Sequence, residues 1–81
     1  MNLSRLKKWI QKMEHLAKGE EGSMSRMYRG DARDGKRVMV LLQKKKWKAA
    51  SRKLDDMDTE PRDAVWVRIP KKIRNVIEES D

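Results

Sequence analysis

Residues 36–54 read Lys-Arg-Val-Met-Val-Leu-Leu-Gln-Lys-Lys-Lys-Trp-Lys-Ala-Ala-Ser-Arg-Lys-Leu. The fold turns on how this stretch is read. Val38, Val40 and Leu42 alternate with Met39 and Leu41, a period of two that suits a strand buried on both faces. Residues 44–54 admit two readings. As a strand, Trp47, Ala49 and Ser51 share one face, opposite Lys46, Lys48 and Arg52. As a helix, Val40, Trp47, Ala50, Leu54 and Met57 fall on one stripe, and Ala and Lys favour helix. The strand is preferred because a second strand downstream needs partners.

That second strand is Ala-Val-Trp-Val-Arg-Ile at 64–69, rich in β-branched and aromatic residues and closed by Pro70. Upstream, Gly-Asp-Ala-Arg-Asp-Gly at 30–35 has turn composition, with two glycines free to take positive φ. The segments on either side, 24–29 and 36–43, then pair as a hairpin. Residues 55–63 are acidic and contain Pro61, which reads as a loop. After Pro70, Ile73, Val76 and Ile77 suggest a helical turn.

The N-terminal part is different. Leu3, Leu6, Ile10, Met13 and Ala17 recur at spacings of three and four, with Trp9 and Leu16 beside them. A helix over 2–18 follows, capped by Asn2 or Ser4 and stopped by Gly19. Residues 19–25, Gly-Glu-Glu-Gly-Ser-Met-Ser, have linker composition. The expected organisation is an amphipathic helix at 1–18, a linker at 19–25 and a small basic domain at 26–78. The expected fold class is α+β: one helix followed by an antiparallel barrel of four or five strands. An all-α helical bundle is the alternative.

Composition narrows the function. With 81 residues, 37% of them hydrophobic, the chain buries a modest core and has little room for a catalytic cleft. No Cys is present, which removes disulfides, thiol nucleophiles and Cys-based zinc sites. His15 is the single histidine. The longest apolar run, 38–42, is too short to span a bilayer, and no signal peptide is evident, so a cytoplasmic or nuclear protein is expected. Net charge is +8, and residues 23–54 alone hold eleven basic against two acidic groups. Such a density favours a polyanionic partner.

The order of basic hairpin, Trp47 strand and Ile69-Pro70-Lys71-Lys72-Ile73-Arg74 resembles small Src-homology-like barrels. More narrowly, residues 24–78 resemble the C-terminal DNA-binding barrel of retroviral integrases. That likeness rests on Val67 and Ile69, then Pro70 with Lys71, Lys72 and Arg74, then Val76 and Ile77. It implies a barrel that binds nucleic acid without sequence preference; no catalytic domain accompanies it. Residues 65–78 are also similar to the strand-Pro-helix opening of ribbon-helix-helix repressors, which call for a further helix.

The expected nucleic-acid-binding residues are Arg29, Lys44, Lys45, Lys46, Trp47, Lys48, Arg52, Lys53, Trp66, Arg68, Lys71, Lys72 and Arg74. The cations would neutralise phosphates, and an exposed Trp could stack on unpaired bases. On the strand reading Trp66 and Arg68 share a face. The competing expectation is a small viral or plasmid-encoded module that modulates a host protein. It would use Leu3, Leu6, Trp9, Ile10 and Met13, either on that partner or in a homodimer, with the charge steering association. The carboxylates Asp55, Asp56, Asp58, Glu60 and Asp63 have neither a paired base nor a phosphate-binding glycine motif, so they read as a solvated loop. No catalytic residue, metal or cofactor is expected.

Overall fold

Tyr28, Ala32, Gly35, Met39 and Leu42 stand four, three, four and three residues apart, the spacing of one helix face. In the computed structural model, which describes residues 1–80, they lie on one helix, α2, Gly22–Gln43. Ala32, Gly35 and Leu42 are buried there, and Tyr28 and Met39 pack against the core half-covered. Before it runs α1, Ser4–Gly19; after it come α3, Trp47–Asp56, α4, Thr59–Val67, and α5, Lys71–Glu79. Among the described residues the chain is 82% helix with no strand, so the α+β barrel is corrected to a helical bundle.

The reasons are local. The apolar run 38–42 satisfies both periods, because Val38, Leu41 and Leu42 also fall at i, i+3 and i+4. The residues before it extend only the helical period. Gly30 and Gly35 therefore lie inside α2 rather than in a hairpin turn. The supposed linker contributes Gly22, Ser23, Met24 and Ser25 to the first turn of the same helix. Trp47, Ala50, Leu54 and Met57 form the stripe of α3, the helical option for that segment.

Pro61 sits in the first turn of α4, where the N–H that proline lacks has no intrahelical acceptor. The helix opens with Arg62 N–H donating to Asp58 O at 3.0 Å. Pro70 disfavours the helical conformation at Ile69 and starts α5 one residue later. Val65, on α4, and Ile69, in the turn before α5, are both buried, and the strand reading also placed them on one face.

α1 and α2 form an antiparallel pair. Ser25 Oγ donates to Ala17 O at 2.7 Å near its closed end. Midway the helices approach so closely that a Cβ on Gly35 would lie 2.9 Å from both Ile10 Cγ1 and Trp9 Cζ3. α3, which packs on α2, α4 and α5, completes the bundle. One core joins them, with Leu6, Leu42, Val38, Val65, Ile69 and Ile77 at its centre. Each such side chain contributes about 1.5–3 kcal/mol by leaving water. Since α1 supplies Leu3, Leu6, Trp9, Ile10 and Met13 to this same core, it is not a separate arm.

Candidate nucleic-acid interface

The run at 44–48 folds as it does because α2 must end. Lys44 caps the helix; Lys45 N–H donates to Leu42 O at 3.0 Å and Lys46 N–H to Leu41 O at 2.9 Å. These two bonds are a Schellman C-terminal motif. Its left-handed position, usually glycine, is held by Lys45 at φ 58°. Lys44, Lys45 and Lys46 are all exposed in this turn. Lys48 and Arg52 follow, exposed and one turn apart on α3. None of these five cations forms an ion pair among the described residues.

The other expected residues divide. Lys53 is engaged with Asp34 at 2.9 Å, tying α3 to α2. Trp47 is half-buried against the core, so its indole serves packing. Arg29 is exposed on α2 at the opposite end of the α1–α2 pair, in a hollow with Glu14, Lys18 and Lys36. Trp66 is half-buried and lines a hollow of about 330 Å³ with Asp55, Asp63 and Glu78, three carboxylates against the one cation Arg62, a balance that disfavours a phosphate chain. The shared face of Trp66 and Arg68 is lost as well, because residues two apart on a helix point away from each other.

Arg68, Lys71 and Arg74 come together at the α4–α5 corner, which lies against the start of α1. Arg68 Nη1 donates to Ala64 O at 2.8 Å, holding its guanidinium along its own helix. Lys72 is exposed next to them on α5. The antiparallel pairing places the start of α1 and the end of α2 at one end of the bundle. That end therefore carries both the 44–46 turn and the α4–α5 corner. The sequence reading omitted Arg5, Lys8 and Lys12, which share a hollow with Trp9 and Arg68. Their spacing of three and four on α1 was the available signal.

The five residues expected at a partner interface, Leu3, Leu6, Trp9, Ile10 and Met13, are all buried inside the chain. The stripe of α1 is covered by α2 and the α4–α5 corner, so a partner would have to meet another face. The acidic residues Asp55, Asp56, Asp58, Glu60 and Asp63 are all exposed, but 55–63 is not one loop: it holds the end of α3 and the start of α4. Asp31 on α2 has its carboxyl pushed above the ordinary value of 3.8, by burial first and then by Asp34, Asp58 and Glu60. Among the described residues no helix is long and apolar enough to cross a membrane.

No family model, curated protein or solved structure matches this chain. Of the residues that carry the likeness to integrase barrels, Val67 ends α4, Ile69 and Pro70 lie in the turn after it, and Lys71, Lys72, Arg74, Val76 and Ile77 lie on α5.

Proposed function

We propose that this chain is a non-catalytic nucleic-acid-binding protein that contacts the phosphate backbone rather than the bases. The observation that carries the reading is the turn and first face of α3. Lys44, Lys45, Lys46, Lys48 and Arg52 are exposed together and, among the described residues, free of ion pairs. Cations so placed displace the counterions condensed on a nucleic acid, and that release supplies most sequence-independent affinity. Lys45 adds support: a lysine occupies a backbone conformation that glycine adopts at less cost, keeping a charge in the turn.

Neither Trp47 nor Trp66 offers a free indole beside these cations, so base stacking is not part of the mechanism. The protein then holds duplex as readily as single strands and discriminates little among sequences. The test is a fluorescence-anisotropy titration with two unrelated duplexes and one single strand, at several salt concentrations. Similar affinities that fall steeply with salt support the reading. No binding at low salt, or tight binding of a single sequence that salt leaves unchanged, refutes it.

A further inference from the structure

A groove of about 280 Å³ runs between the start of α1 and the α4–α5 corner. Arg5, Arg68, Lys71 and Arg74 line it together with Asn2 and Ser4, and no carboxylate does so among the described residues. It continues into a second hollow of about 260 Å³ that shares Arg5 and Arg68 and adds Lys8 and Lys12. Six cations from two separate parts of the chain thus face one strip of surface. Lys36 pairs with Glu14 and Lys53 with Asp34, each at 2.9 Å. Among the described residues none of the six cations of the strip has an acidic partner.

Two further features point to an anion. Arg74 holds its Nε buried with no acceptor. A buried donor without a partner is costly, and a nearby negative charge offsets part of that cost. The strip also meets the N-terminus of α5, a nine-residue helix whose Pro70 cap provides no side-chain hydrogen bond to the first turn. Uncapped N–H groups and the positive end of the helix dipole favour a phosphate there.

We infer that this strip is a backbone-phosphate site: one phosphate of a nucleic acid is held by Arg5, Arg68, Lys71 and Arg74, and a second, further along the strand, by Lys8 and Lys12. The inference rests on the nucleic-acid reading and extends it to a surface on α1. Arg5 and the α4–α5 corner act as a clamp at the bundle end that carries the lysine turn. An anion seated between them also neutralises the repulsion that six unpaired cations impose on the folded chain.

The test combines a variant with an observation on the unaltered protein. Arg5→Gln and Lys71→Gln together remove two exposed charges, and a thermal melt shows whether the fold survives. Duplex binding is then followed by anisotropy across a salt series. If one phosphate contact is lost, the slope of log K against log salt becomes shallower by about 0.9. In parallel, the Arg74 Nε–Hε resonance of the wild type is followed by NMR while duplex is added, with a shift that saturates together with binding as the expected result. A wild type that binds duplex while the Arg74 resonance stays still and the variant keeps the full slope overturns this inference and leaves the nucleic-acid reading intact. A wild type that binds no duplex at low salt overturns both.

Discussion

Gly30 and Gly35 sit five residues apart in α2, and replacing each with alanine should change stability in opposite directions. Around Gly30 a new Cβ meets nothing within 4 Å. The substitution therefore collects the helix-propensity difference between glycine and alanine, about 0.8–1 kcal/mol of added stability. At Gly35 the same gain is opposed by contacts of 2.9 Å to Ile10 Cγ1 and to Trp9 Cζ3. Ile10 is 2% exposed and Trp9 6%, so neither can swing into solvent to make room. Overpacking of this kind costs about 1–3 kcal/mol. Net of the propensity gain, Gly35→Ala should lose about 1 kcal/mol. For a domain of this size 1 kcal/mol moves Tm by roughly 4–8 °C. Gly30→Ala should melt higher than wild type and Gly35→Ala lower, in thermal unfolding followed by circular dichroism. A hairpin turn at 30–35 that needs positive φ makes the opposite prediction for Gly30. A Gly30→Ala variant that melts lower by several degrees would refute the helix, and a Gly35→Ala variant that melts higher than wild type would refute the close α1–α2 crossing.

Lys45→Gly should stabilise the fold by about 1 kcal/mol, because it relieves a left-handed residue, read as a higher midpoint in urea unfolding. Leu6→Asp with Ile10→Asp should abolish the cooperative melt, since both side chains are core; a variant that melts normally would return α1 to an interface role. Asp31 has a raised pKa, so the folded state holds its proton more tightly than the unfolded chain and loses stability as pH rises from 3.8 through the folded value. Asp31→Asn should therefore raise Tm at pH 7, with the gain shrinking as pH falls towards 3.8, in melts taken across that range.

How far the sequence shows this fold depends on how many residues each element offers. α1 is legible because its five apolar positions repeat at one spacing over sixteen residues, ending at Gly19. In α3, Trp47, Ala50, Leu54 and Met57 carry the right stripe, but the lysines between them alternate just as well as in a strand. α2 is obscured by its own composition. Two glycines inside a helix and a run of five apolar residues each mimic something else locally, and only the stripe from Tyr28 to Leu42 exposes the true period. At 64–69, Val65, Val67 and Ile69 are strand formers by propensity, but burial of Val65 and Ile69 in the helical core outweighs a preference that spans about 1 kcal/mol. The basic surface was half visible. Lys44, Lys45, Lys46 and Lys48 announce themselves as a run, whereas Arg5, Lys8 and Lys12 meet Arg68 only through tertiary packing.

On the proposed function, the exposed cations of the α2–α3 turn bind nucleic acid through its phosphates. The most direct measurement is the salt dependence of duplex binding by a variant with Lys44, Lys46, Lys48 and Arg52 changed to glutamine. Lys45 is left in place so that the turn keeps its backbone. Binding to two unrelated duplexes should weaken by the same factor if these cations hold phosphates. The slope of log K against log salt should also become shallower by about 0.9 for each phosphate contact removed. A folded variant that binds both duplexes with the wild-type slope would contradict the proposed function.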